Sequence, residues 1–257
     1  MAELEIKNEI KALGSALLQI GSLLLVSGAS TDRIRTTINR ISDSFEYNTE
    51  VLISHRTIML NIYDEDSDCL FNSLKRTSAH GVNFRLLSGI SRMSWLIAEQ
   101  NWTIAQINEE VERLENLPQY PRLVILAFVG LAGAAFCRLA GGNFYDMLLV
   151  FAGSFCGLFV RQEAAKKRFN YYLCVYFGAF VSSMIAGIAL KFNPIKPQEY
   201  ALATSVLFLI PGVPLINSFS DMIDGNLQNG LIRGINGFII SFSIAMGLLS
   251  TMFIYQL

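Results

Sequence analysis

Long apolar segments dominate the chain after Arg122, and they limit the folds that this part of the protein can adopt. Each is long enough, or nearly so, to cross about 30 Å of hydrocarbon at about 1.5 Å of rise per helical residue. Small residues recur within them, as in GLAGAAF and FAGSFCG, and allow helix backbones to approach closely. The sequence therefore predicts an α-helical membrane protein with about five transmembrane helices, near residues 123–141, 144–161, 171–191, 200–219 and 231–255.

Most of the charged residues lie ahead of these segments. Residues 1–120 hold 11 of the 20 Lys and Arg residues and 16 of the 21 Asp and Glu residues. The sequence LPQYP at 117–121 is typical of a domain boundary. No basic region precedes the first apolar stretch, so a secretory signal is not indicated. We therefore expect a small cytoplasmic α+β domain over residues 1–118, followed by a transmembrane helical domain over residues 119–257.

The N-terminal domain begins with two predicted helices. Apolar residues recur at helical spacing over residues 4–27, but only about 14 residues are predominantly apolar, which is short for a membrane span. Gly28 suits the C-terminal cap of this helix, and Ser30 or Thr31 can cap the next. The sequence predicts that the first helix packs in the core of the domain.

A predicted β-hairpin follows. TIMLNIY alternates apolar and polar residues, and CLFNSL returns after the acidic segment DEDSD at 64–68. Asp64, Asp66 and Asp68 imitate the start of an EF-hand loop, but Cys69 replaces the required Gly and Lys75 the required Glu. We therefore predict a solvated hairpin tip and no calcium site. Two further helices complete the domain.

Sequence motifs for enzymatic chemistry are absent. The chain has no P-loop, no Rossmann glycine pattern, no GxSxG and no HExxH. Its four cysteines form no CxxC pair, so neither zinc nor a disulfide framework is indicated. Basic residues do not alternate with aromatic ones as in a nucleic-acid interface. We expect no enzyme, no metal, no cofactor and no nucleic-acid partner.

The strongest candidate for a functional site is LFLIPGVPLINSFSDMIDGN at 207–226. Pro211, Gly212 and Pro214 predict an interrupted helix, because proline lacks the N–H and clashes with the carbonyl four residues earlier. Such a break at membrane depth is tolerated where it is buried in protein or lines a wet cavity, and it can form a substrate or ion site. The alternative is a packing kink that leads into a solvated helix end.

Polar residues follow this break at helical spacing. Asn217, Asp221 and Asp224 are predicted to share one helical face and to line a substrate or proton pathway. A second candidate is Asp146, across the turn LAGGN from Arg138. These two side chains either pair near the membrane interface or extend separately to water.

The distribution of Lys and Arg predicts the orientation. RQEAAKKRFN at 161–170 carries four basic residues, so the positive-inside tendency places this loop, the N-terminal domain and the 220–230 loop in the cytoplasm. With five spans the C-terminus lies outside.

Several segments together resemble the threonine/serine exporter (ThrE) family, and more closely its separate larger subunit, the YjjP-like type. They are SGASTDRIRTTINRI, LAGGNFYDMLLVFAG, IPGVPLINSFSDMIDGN and GLIRGINGFIISFSIAMGL, in order over about residues 10–250. Pro211, Gly212, Pro214, Asn217 and Asp221 fall on the family's PGVP-type segment. Asp146 falls on its small-residue turn, and Gly28 and Arg33 fall on its first helix junction.

The resemblance implies a secondary transporter in the bacterial inner membrane, driven by the proton gradient. It would export small amino acids such as threonine and serine, or a dicarboxylate such as succinate. It also implies a separate YjjB-like small membrane subunit as partner, beside the lipid bilayer, a small carboxylated substrate and a possible homo-oligomer. The alternative is a membrane-anchored sensor or scaffold whose cytoplasmic domain binds a small ligand.

Overall fold

The computed structural model describes residues 2–63, 69–78, 81–118, 120–192 and 200–256, with backbone only for 2–6 and 189–192. The chain forms two compact units. The first comprises Met1–Pro118 and Val213–Gly234, and the second comprises Gln119–Gly212 and Ile235–Leu257. The predicted acidic turn at 64–68 lies outside the described residues. In contrast to the contiguous division at 118/119 expected from sequence, residues 213–234 belong to the first unit.

The first unit is built from helices around a small sheet. Its helices are α1 (Ala2–Val26), α2 (Thr31–Asp43), α3 (Phe84–Gln100) and α4 (Ile104–Glu115). The strands β1 (Asn48–Ser54), β2 (Thr57–Tyr63) and β3 (Cys69–Arg76) form an antiparallel sheet in the order β1-β2-β3. The unit also contains most of α9 (Gly212–Ile223) and the first turns of α10 (Leu227–Tyr255).

The core of the first unit explains why α1 is so apolar. Leu17, Ile20 and Leu24 on α1 are fully buried in one cluster with Ile58 and Leu60 of β2. Within α1, Lys7–Val26 is long and apolar enough to span a membrane, but 61% of its apolar window is buried in protein. For the other four candidate helices this share is 22–44%. The apolar face of α1 is therefore used for packing within its own unit, where hydrophobic burial is favourable without lipid.

The second unit consists of apolar helices. These are α5 (Arg122–Leu139), α6 (Phe144–Lys166), α7 (Tyr171–Phe192), the short α8 (Tyr200–Ser205) with a 3₁₀ turn at Leu207–Leu209, and the remainder of α10. Large apolar side chains are exposed on it, including Phe128 (66%), Leu139 (82%) and Phe253 (84%). Exposed apolar surface of this extent suits a lipid environment better than water.

Close packing in this unit depends on small residues. A Cβ atom at Gly153 would lie 2.7 Å from the carbonyl oxygen of Ser182, and one at Gly157 would lie 2.7 Å from that of Gly178. Glycine therefore allows α6 and α7 to approach at backbone distance.

The structure revises the predicted spans in two places. By length and composition, α5, α6, α7, α10 and Lys7–Val26 are the five candidates among the described residues. The predicted fourth span, 200–219, is interrupted as the prolines predict, but it extends to Ile223: Tyr200–Leu209 and Gly212–Ile223 qualify only together, as a broken pair. The fifth begins at Leu227 instead of 231, because α10 is one continuous helix of 29 residues.

Candidate functional site

The predicted interruption of the helix near 210–214 is confirmed. The 3₁₀ turn ends at Leu209, and α9 begins at Gly212. Ile210 between them is extended (φ −59°, ψ 127°), as expected for the residue before a proline. Pro214 lies in the first turn of α9, where backbone N–H groups have no intrahelical acceptor and a missing N–H costs no hydrogen bond.

The break leaves one carbonyl group of the second unit without a helical partner, and two serine hydroxyl groups donate hydrogen bonds to it. Leu209 N–H bonds to the carbonyl of Val206 instead of that of Ser205, four residues earlier. The Ser205 carbonyl accepts hydrogen bonds from Ser154 Oγ at 3.0 Å and from Ser182 Oγ at 2.7 Å. All three serines are buried. The freed carbonyl is thus engaged by protein hydroxyl groups.

In the first unit, the connection between α1 and α2 has a tightly specified backbone. We call residues 27–31 the junction. Gly28 has φ +86°, and the N–H groups of Gly28 and Ala29 bond to the carbonyls of Leu25 and Leu24, which is the Schellman arrangement of a helix end. Ser30 then caps α2 by accepting from the N–H of Arg33 at 3.3 Å. Gly28 and Ser30 therefore have the cap roles expected from the sequence.

Polar side chains from residues 213–234, which we call the hairpin, bind the backbone of this junction. Asn217 Nδ2 donates to the Gly28 carbonyl at 2.7 Å, and Thr31 N–H donates to Asp221 Oδ1 at 2.8 Å. Arg233 Nη2 donates to the Ala29 carbonyl at 2.9 Å. The PGVP segment and the SGAST segment, some 190 residues apart in sequence, thus form one polar cluster.

Asn229, also in the hairpin, adds a further link to the polar cluster. Its Nδ2 donates to the Ile53 carbonyl at 2.9 Å and to Thr31 Oγ1 at 3.3 Å. This side chain therefore connects α10 to the end of β1 as well as to the start of α2.

The centre of the cluster is a buried ion pair. Asp221 is fully buried, and the side chain of Arg233 is 15% exposed. Asp221 Oδ2 lies 3.3 Å from Arg233 Nη1, yet neither atom makes a hydrogen bond. The other oxygen, Oδ1, sits at the N-terminus of α2, where the helix dipole favours negative charge. The pair is therefore charge-balanced, and one side-chain atom of each partner has no hydrogen bond among the described residues.

The remaining predicted site residues lie elsewhere. Asp224 follows the last residue of α9 and is exposed, so α9 does not present three polar residues on one face. Arg33 is exposed on α2. Asp146 is 5% exposed and forms a capping box with Asn143 at the start of α6, accepting from the Asn143 N–H at 2.9 Å.

Of the two alternatives for Asp146 and Arg138, pairing is not found among the described ion pairs. Arg138 Nη1 donates instead to the Gly142 carbonyl at 3.2 Å. In the part of the chain that the structure describes, no group of three His, Cys, Asp or Glu side chains could hold a metal ion.

Sequence reasoning missed Asn229 and Arg233. Both fall in or just before the apolar segment predicted as the fifth span, and they are spaced i and i+4. A charged residue in such a segment is itself a functional candidate, because its burial is costly. Arg233 could therefore have been identified as a candidate from the sequence, but its partner Asp221 could not have been.

Comparisons with known proteins support the conclusion that the apolar helices belong to a membrane protein. The profile of the ThrE family, described as "Putative threonine/serine exporter", matches residues 15–255. The chain is 25% identical to "Probable succinate transporter subunit YjjP" of Klebsiella aerogenes, over 98% of this chain and 97% of that protein. The Escherichia coli K12 protein of the same name is 25% identical, over 96% of each chain.

A third relative is longer than this chain. The "Threonine/serine exporter" of Corynebacterium glutamicum is 27% identical over 80% of this chain and 44% of its own length. No solved structure matches. The family and these relatives are transporters and not enzymes. The match over residues 15–255, with apolar helices that can span a membrane, shows that this chain belongs to the threonine/serine exporter (ThrE) family of membrane transport proteins.

Proposed function

We propose that the chain is one subunit of a proton-coupled secondary transporter in the bacterial inner membrane, with residues 1–118 in the cytoplasm. It would export a small carboxylated molecule: threonine, serine or a dicarboxylate such as succinate. The names of its relatives support these substrates. The word "subunit" in two of those names supports a separate small membrane subunit of the YjjB-like type.

The buried ion pair of Asp221 and Arg233 carries the proposal of proton coupling. A buried carboxylate is stable as an anion only while a positive charge compensates it. If Asp221 takes up a proton, the Arg233 guanidinium is left without its counter-ion. It can then accept the carboxylate of a substrate in a bidentate arrangement.

Two states of this pair have the same local charge balance. In one, ionised Asp221 compensates Arg233; in the other, Asp221 is protonated and the substrate carboxylate compensates Arg233. The intermediate states contain an uncompensated buried charge and are therefore disfavoured. A proton and a substrate carboxylate would thus be bound and released together, so they would cross the membrane in the same direction and export would follow the substrate's own gradient.

We assign the proton to Asp221 and not to Asp146. The second oxygen of Asp221 has no hydrogen bond, whereas the capping box accounts for the buried side chain of Asp146. Pro211, Gly212 and Pro214 contribute by starting α9 at the position that brings Asp221 to the junction.

The test is transport by both subunits in proteoliposomes. Labelled threonine, serine and succinate are followed with an imposed pH gradient, and as exchange at equal pH. Asp221→Asn should abolish gradient-driven transport but retain exchange, because Arg233 stays free to bind a carboxylate. Arg233→Gln should abolish both. Asp224→Asn, an exposed carboxylate three residues away, is the matched control and should behave as wild type.

Two outcomes would contradict the proposal. Normal gradient-driven transport by correctly inserted Asp221→Asn protein would exclude Asp221 as the coupling residue. No transport of any of the three substrates by the wild-type pair would contradict the proposed substrates and favour the sensor function.

A further inference from the structure

A second polar cluster in the first unit borders a groove that the transport proposal does not use. The groove follows the edge strand β1 and has a volume of about 460 Å³, within the range of roughly 300–1,000 Å³ that is typical of small-molecule sites. Side chains from α2, β1 and β2 line it. They include Arg35, Glu50, Leu52, Met59 and Asn61.

The groove contains one cation and one anion that are not paired. Among the ion pairs of the described residues, neither Arg35 nor Glu50 appears, so their charged atoms are more than 4 Å apart. Arg35 makes one side-chain hydrogen bond within the described chain, from Nη2 to Asn226 Oδ1 at 3.3 Å. A guanidinium has five N–H donors, so most remain for a ligand. A molecule with a charge of each sign can satisfy both groups.

The position of Glu50 is set by a row of hydrogen bonds across the outer face of the sheet. Asn72 Nδ2 donates to Asn61 Oδ1 at 2.8 Å, Asn61 Nδ2 donates to the Tyr63 hydroxyl at 3.1 Å, and that hydroxyl donates to Glu50 Oε2 at 3.1 Å. The hydrogen bond to Glu50 is the main reason that the pKa of Tyr63 is raised, and burial adds to it. The phenol is therefore a hydrogen-bond donor that orients the Glu50 side chain.

An apolar surface lies beside these charges. Leu52 and Met59 are directly opposite each other in the β1–β2 register, and both line the groove. Leu52 is 68% exposed. Exposed apolar side chains next to a preorganised carboxylate and a guanidinium offer contact area to the aliphatic part of a ligand.

We propose that this groove binds a small α-amino acid with an aliphatic side chain. The carboxylate would bind Arg35, the ammonium would bind Glu50, and the side chain would lie over Leu52 and Met59. This site is separate from the ion pair of Asp221 and Arg233, and its occupancy does not depend on the proposed transport. Because Arg35 also bonds to Asn226 in the hairpin, a bound carboxylate would share the same guanidinium.

Calorimetry on the full-length protein in nanodiscs tests the charge requirement. The probe is L-valine. The controls are isovalerate, which lacks only the ammonium group, and isobutylamine, which lacks only the carboxylate. We expect saturable binding of L-valine and at least about tenfold weaker binding of both controls, because each leaves a charged group of the protein unmatched.

Two substitutions locate the site. Arg35→Gln and Glu50→Gln should each raise the Kd for L-valine about tenfold or more. The matched controls Arg92→Gln and Glu99→Gln remove the same charges from exposed positions on α3 and should leave the Kd unchanged. Equal Kd values in all four variants, or no saturable binding by the wild type, would overturn the proposal.

Hydrogen–deuterium exchange separates this site from any transport site. L-Valine should protect amides in α2 and β1 in both the wild-type protein and the Asp221→Asn variant. Protection confined to other segments, or its loss in the Asp221→Asn variant, would place the ligand elsewhere and refute the groove as its site.

Discussion

The buried pair of Asp221 and Arg233 makes a quantitative prediction about stability. In Asp221→Asn the amide oxygen can still accept the Thr31 N–H, so the main loss is the charge that compensates Arg233. Removing one partner of a buried ion pair costs about 3–5 kcal/mol, and the retained hydrogen bond places Asp221→Asn near the lower value. Arg233→Gln should cost a similar amount, because it leaves the Asp221 carboxylate uncompensated and weakens the contact with the Ala29 carbonyl.

The double variant provides the decisive comparison. Asp221→Asn combined with Arg233→Gln leaves no buried charge at the site, so its loss of stability should be smaller than the sum of the single losses. We expect a coupling energy of at least about 2 kcal/mol. It would be measured as the free energy of unfolding of the full-length protein in mixed micelles, by titration with SDS followed by circular dichroism.

Asp224→Asn serves as the control in this series, because Asp224 is exposed in the same segment and should change the free energy of unfolding by less than about 0.5 kcal/mol. Strictly additive losses in the double variant would show that Asp221 and Arg233 do not interact. An Asp221→Asn variant as stable as the control would show that the carboxylate is not buried with its counter-ion, and the coupling mechanism would lose its basis.

Two further predictions concern the backbone of the two units. Gly28→Ala should destabilise the protein by more than Gly225→Ala in the same unfolding assay. Both glycines have positive φ, so an alanine at either position costs about 1–2 kcal/mol of backbone strain. Only at Gly28 would the new Cβ also meet a carbonyl oxygen, that of Gly81, at 3.0 Å. Equal losses would show that this contact relaxes freely. Ser182→Ala should cost about 0.5–1.5 kcal/mol, and adding Ser154→Ala should cost more than the first substitution, since the buried Ser205 carbonyl then has no hydroxyl partner. If the second substitution costs no more stability than the first, the two hydroxyl groups do not share the hydrogen bonding of the Ser205 carbonyl.

Local sequence signals determined much of this protein. Proline geometry predicted an interruption near 210–214, and cap chemistry predicted Gly28 and either Ser30 or Thr31, because each depends on atoms within a few residues. The alternation in TIMLNIY placed Ile58 and Leu60 on the buried face of β2 for the same reason. Motif resemblance identified the family, which the match over residues 15–255 confirmed.

The tertiary structure alone decided what the polar residues contact. Spacing suggested that Asn217 and Asp221 line a pathway, but their partners, Gly28 and Thr31, are about 190 residues away in sequence. No local rule specifies such pairings, because they arise from packing of whole elements. The same packing joins residues 213–234 to the N-terminal unit and pairs Asp221 with Arg233.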